Sequence, residues 1–201
     1  MRTEPATSPS PELATARRGY GPLLQRDYWA VIDGCRLSPR KVMALVARHF
    51  PAFAPEELVV FTREGSDQRP LRVGEVLGVH IVGAGDFAVR VIHLDAQSLT
   101  VATVAGHPEA GRITFGAYRN RRGDVIFHIC SRARSSTWAR YFGFRSAGEV
   151  MQTSCWTDFV NRVAVATGRG VLGHIQSTTC ACADEDEGQA RSRPTYLARG
   201  D

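Results

Sequence analysis

Between residues 146 and 167 the side chains Met151, Cys155, Trp156, Phe159, Val160 and Val163 recur at spacings of three and four. That spacing puts them on one wide stripe of a 3.6-residue helix, and such a helix needs a large apolar surface to lie on. Gly168 follows directly and predicts the stop, because glycine takes the left-handed conformation at little cost. Upstream the period changes. Alternating or β-branched segments predict strands at residues 58–63, 73–82, 87–94, 99–105, 112–119 and 124–131, with a further β-prone segment at 28–35. The gaps between the later segments hold turn residues, and such short connections make an antiparallel meander. A first helix is predicted over residues 39–49, capped by Ser38 and entered through Pro39. Its inner face would carry Val42, Leu45, Val46 and Phe50, and a further helical turn is expected at residues 54–57.

The order is therefore strand, helix, short helix, six strands, long helix. It is the order of an α+β helix-grip fold, also called START-like or Bet v 1-like. There a seven-stranded antiparallel sheet wraps around a long C-terminal helix and leaves a cavity between the two. A period of two turns Phe87, Val89, Val91, Ile113, Phe115, Phe127 and Ile129 inward. The other register would turn Ile126, His128 and Cys130 inward, and both registers stand at this point. Residues 1–26, rich in Pro, Ser, Thr and Ala, are expected to form a disordered tail, residues 27–168 the domain, and residues 169–201 a second, mostly disordered tail.

Composition narrows the class. The chain of 201 residues is 43% hydrophobic and 22% charged, enough for one core. No apolar run approaches the roughly 18 residues of a membrane span, and the N-terminal residues lack the apolar centre of a secretory signal, so a cytoplasmic protein is expected. The five cysteines include no CxxC pair, which argues against a zinc ribbon and a disulfide framework; free thiols are expected, and neither a metal nor a cofactor. The net charge is +5, concentrated between Arg112 and Arg145, where eight arginines face one acid, Asp124. That stretch could attract an anion or an acidic partner, but it lacks exposed aromatics for base stacking, so nucleic acid is not the expected partner.

Residues 106–115 read GHPEAGRITF, residues 131–135 SRARS, residues 149–163 EVMQTSCWTDFVNRV, and residues 72–75 RVGE. Together they resemble the bacterial and plant family labelled domain of unknown function 1990, over about residues 28–168. The resemblance implies no established activity and carries over no catalytic residue.

The chemistry-bearing positions are few. His107 and Glu109 bracket Pro108, either as an acid/base pair at the cavity or as a turn whose shape needs that sequence. His128 sits mid-strand, as a third acid/base candidate or as a histidine with a purely structural partner. The candidate ligand-binding set is Phe115, Phe127, Gln152, Trp156, Phe159, Arg112 and Arg132. Gln152 matters most among them: it either lies on the solvated flank of the helix or faces inward, where its amide must find a hydrogen-bond partner. Two functions fit: a module that binds an apolar small molecule, such as a lipid or secondary metabolite, or a cyclase- or lyase-type enzyme using the same cavity. A basic-surface docking protein is a third, weaker reading.

Overall fold

A computed structural model of the chain describes residues 11–65, 69–136 and 147–183. The expected elements at 28–35 and 39–131 are recovered within a few residues, apart from the first strand. That strand, β1, spans Tyr20–Val31, and α1 spans Pro39–His49. Then follow β2 (Val59–Arg63), β3 (Val76–Ile81), β4 (Gly85–Leu94), β5 (Ser98–Thr103), β6 (Glu109–Arg119) and β7 (Val125–Ser135). The long helix α2 spans Ala147–Thr167, and β8 spans Gln176–Cys182.

The Ser38 side chain accepts from the Lys41 amide and Pro39 opens α1, as its composition predicts. The inner face of α1 is Val42, Met43, Val46 and Ala47, with Leu45 only half-buried. The extra helical turn lies at Phe50–Phe53, earlier than expected, because Pro51 can take the second position of a 3₁₀ turn and its ring fits there.

All strands belong to one antiparallel sheet in the order β2-β3-β4-β5-β6-β7-β1-β8. Two corrections follow. The sheet has eight strands, not seven, and both expected tails contribute to it. Residues 20–26 are the first half of β1, paired with β7, and Gln176–Cys182 lies along the other edge of β1. The proline-containing and polar composition of these segments hides them, because their partners lie far away in sequence. Residues 1–10 and 184–201 of the two tails lie outside the described residues.

The sheet turns one face toward α2. Phe115, Phe127 and Ile129 share one core cluster with Phe159 of α2, as do Val89, Val91 and Val101; Ile126, His128 and Cys130 are buried too, but have the opposite parity and lie outside that cluster, which settles the register in favour of the first set. Phe159 of α2 is the meeting point. Its ring lies 5.1 Å from Phe115, 6.2 Å and stacked on Phe127, and 5.4 Å from Phe50. Val160, Val163 and Ala164 complete this half of the helix with no exposure.

At the helix exit Gly168 does not adopt the left-handed conformation expected of it. Its glycine identity has a different cause: a β-carbon there would lie 2.5 Å from the Asp33 carbonyl and 2.6 Å from Ile32 Cγ2. The backbone closes tightly on the end of β1, and Arg169 donates twice to the Asp33 carboxylate. Gly111 of the GHPEAG motif is explained similarly, since a β-carbon would lie 2.1 Å from the Arg132 carbonyl of β7.

Truncating Phe159 removes the centre of this contact. Phe159→Ala is expected to lower unfolding free energy by about 3–5 kcal/mol, read from the midpoint of denaturant titration.

Candidate functional site

The second half of α2 is packed solid against the sheet, and the first half is not. Met151, Gln152, Cys155 and Trp156 border a cavity of about 120 Å³. Its opposite wall is apolar: Phe61, Val79, Val89, Val101 and Ile113 from β2 to β6, and Ala133 from β7. The aromatic residues that could have filled the space are engaged elsewhere, with Phe115 and Phe159 gathered around Phe50. Apart from Phe61 and Trp156, what faces the gap are smaller or more flexible side chains.

One arc of the wall is polar and comes from the turn into β6, residues His107, Pro108 and Glu109. Strand alternation brings Glu109 to the same face as Phe115. Arg26 of β1, opposite Ser131, lies on that face too. Its guanidinium stands 3.5 Å from Glu109 Oε1, and Gln152 Nε2 of α2 donates to Glu109 Oε2 at 3.0 Å. The inward amide of Gln152 has thus found its partner, tying helix to sheet. The Glu109 side chain is 22% exposed. Burial pushes its carboxyl above the usual carboxylate range, against the opposing pull of Arg26 and the Gln152 hydrogen bond.

His107 is buried, accepts the Glu109 amide N–H on Nδ1 at 3.1 Å, and meets Phe87 edge to face. It is locally the folded turn that its sequence suggests, and it also lines the cavity. Tyr28, almost fully buried nearby, is hydrogen-bonded to Thr153, and burial raises its phenol pKa. The Cys155 thiol on the cavity wall is pushed by burial to about 12, so it stays protonated and makes a poor nucleophile. Ser131 Oγ and Trp156 Nε1, on two lining residues, are buried with no hydrogen-bond partner among the described residues.

The expected site residues therefore separate. His107, Glu109, Gln152 and Trp156 come together around the cavity. Phe115, Phe127 and Phe159 sit in the packed core beside it. Arg112 borders the cavity from the β6 backbone, but it has the opposite parity to Phe115, as has Arg132, its cross-strand neighbour. Arg132 donates to Gln25 on the outer face of the sheet.

His128 is also on that outer face. Its Nε2 donates to Asp27 Oδ1 at 2.9 Å, and Nδ1 is 3.3 Å from the Tyr118 hydroxyl. Asp27 is buried, which works against ionisation. Its hydrogen bonds with His128, Gln25 and Cys130 overcome that and lower its pKa. The dyad joins β1 to β7 and has no access to the cavity, so it is removed from the acid/base set. His80 and His93 pair separately with Asp86 and Asp95.

Of the basic stretch, Arg121 and Arg122 are exposed at the β6–β7 hairpin, Arg134 donates to the Gly21 carbonyl, and Arg140 and Arg145 lie outside the described residues. Among the described residues no three His, Cys, Asp or Glu side chains could hold a metal ion, and no helix is long and apolar enough to cross a membrane. Arg26 is the functional position that the sequence hides; the apolar Leu23-Leu24 pair beside it was the available sign that the strand starts earlier.

The architecture is that of known helix-grip proteins. The chain is similar to the KanY protein, with a TM-score of 0.53 and 10% identity over 74% of this chain and 99% of that one. It is similar to norcoclaurine synthase from Thalictrum flavum, determined as a point mutant with a transition-state analogue, with a TM-score of 0.50 and 11% identity over 74% and 96% of the two chains. The same synthase with dopamine and hydroxybenzaldehyde gives a TM-score of 0.50 and 9% identity over 82% and 96%. At these identities the likeness establishes a Bet v 1-like helix-grip fold and nothing further. No family model matches the sequence, and no curated protein matches it.

The raised pKa of Glu109 has a definite sign. The folded protein holds this proton more tightly than the unfolded chain does, so the ionised carboxylate costs stability that is recovered as pH falls through the folded pKa. The stability of Glu109→Gln relative to wild type, which also carries a pH-independent cost for leaving Arg26 unpaired, is therefore expected to fall as the pH is lowered from about 7 to about 4. Denaturant midpoints of both proteins across that range check it; a relative stability that rises on acidification contradicts the assignment.

Proposed function

We propose that the protein binds an apolar small molecule, of the lipid or secondary-metabolite kind, between its sheet and the first half of α2. The observation that carries this reading is the cavity of about 120 Å³, walled mostly by apolar side chains, with its polar groups gathered around the His107–Glu109 arc, Gln152, Thr103 and Ser131. A close-packed interior rarely leaves such space, and an apolar cavity of about 150 Å³ stays dry and takes up benzene. The norcoclaurine synthase structure with dopamine and hydroxybenzaldehyde, built on the same fold, lends support from outside the chain. Membership of the domain of unknown function 1990 family and a cytoplasmic setting are part of the same proposal, resting on the motifs and on the free thiols.

One observation favours a second reading, a cyclase- or lyase-type enzyme. Glu109 is a wall carboxyl with a raised pKa, which is how proteins prepare an acid/base group for work near neutral pH. His107 is its only partner candidate on the wall, and its Nδ1 is already engaged by the Glu109 amide.

Native mass spectrometry and thermal-shift measurements against a panel of apolar compounds test the binding reading. Val101→Phe, which places a ring in the cavity from the centre of β5, is expected to keep the melting temperature within a few degrees and to abolish every shift seen with wild type. Ligand shifts that survive this substitution would place binding elsewhere.

A further inference from the structure

We infer that the ligand is a neutral molecule, one ring in size where it is enclosed, carrying a hydroxyl or N–H group that donates to Glu109. This rests on the binding reading above and narrows it to a chemical class. Size comes first. The cavity of about 120 Å³ is slightly smaller than the roughly 150 Å³ space that accommodates benzene, so the enclosed part of a ligand is a single ring or an aliphatic group of that bulk.

Charge comes next. The acid lines the cavity; its counter-charge does not. Arg26 stands behind Glu109, 3.5 Å from Oε1, with only 10% of its side chain exposed, and is not part of the wall. A carboxylate ligand would therefore meet a like charge first. A cationic ligand would have to leave water for walls made of Val79, Val89, Val101 and Ile113, facing a carboxylate whose charge Arg26 already offsets. A neutral donor avoids both costs.

Hydrogen-bond capacity supplies the last step. In its ionised form, the one that pairs with Arg26, a carboxylate offers about four acceptor positions. Gln152 takes one on Oε2, and Arg26 approaches Oε1. Glu109 thus retains acceptor capacity, and as the one carboxylate lining the cavity among the described residues it is a stronger acceptor than Ser131 Oγ, while Trp156 Nε1 can only donate.

The test is a chemical-shift titration of the full chain with four single-ring probes: phenol and toluene, equal in heavy atoms, and the slightly larger benzoate and benzylamine. It is repeated on Glu109→Leu and Glu109→Gln. Phenol is expected to bind wild type about tenfold or more tighter than toluene, with the two charged probes at least about tenfold weaker than phenol. Glu109→Leu should erase the difference between phenol and toluene. Glu109→Gln, which keeps a carbonyl acceptor, should hold most of the phenol preference. Toluene binding as well as phenol, or either charged probe binding best, overturns the assigned class while the cavity remains a binding site. If none of the four binds, the cavity reading itself falls. If Glu109→Leu fails to bind toluene or to fold, the ranking of the four probes on wild type decides the matter alone.

Discussion

The structure depends on one packing contact, the burial of the Phe159 face of α2 against the inward side of β6 and β7. An isolated amphipathic helix gains little from its own hydrogen bonds and is held by what it covers. Here the covering surface is aromatic and fully buried, with Phe115, Phe127 and Phe50 around one ring. Because that contact sits in the second half of α2, the first half is positioned as a rigid extension of it. Its Met151 and Cys155 leave the space in front of the strands unfilled, and the helix crosses to the sheet there only through Gln152 at Glu109 and Trp156 at Phe115. The cavity follows from where the large residues are placed along a single helix.

The polar arc obeys the same geometry. Glu109 begins β6, Arg26 comes from β1 and Gln152 from α2, so three elements meet at one carboxyl. Each contact is modest, but together they join the sheet to the unpacked end of the helix, where apolar contact is thin. The price is a carboxyl held partly out of water. Its raised pKa and its role in fastening the helix are two sides of one arrangement.

How much of this was legible in the sequence varied with distance along the chain. The helices and the meander from β2 to β7 follow from periodicity and turn residues, which are local signals. The inward faces of β4, β6 and β7 could be read up to one choice of register, and the packing of Phe115 and Phe127 against Phe159 resolves that choice. Gln152 facing the sheet was one of two readings until its contact with Glu109 decided between them. What could not be read was non-local. The pairing of Asp27 with His128 spans 101 positions, and nothing in either neighbourhood announces it. Arg26 and β8 were hidden for the same reason, since their segments look polar and irregular until a distant strand supplies their hydrogen bonds. Gly168 shows a subtler gap: its location was predicted correctly but for the wrong cause, a backbone torsion instead of a close approach to Asp33.

The place of β1 in the sheet bears on how the molecule is made. Both of its neighbours, β7 and β8, come much later in the chain, with β2 to β6 in between. On a ribosome working at about 5–20 residues per second, β1 waits on the order of 5–20 s before residues 125–135 emerge to cover one flank, and longer for the other. Throughout that interval its Leu23, Tyr28 and Trp29 have no strand to lie beside. The sheet therefore keeps an open edge at β1 until β7 and then β8 have been made, and these are the last two of its strands to emerge.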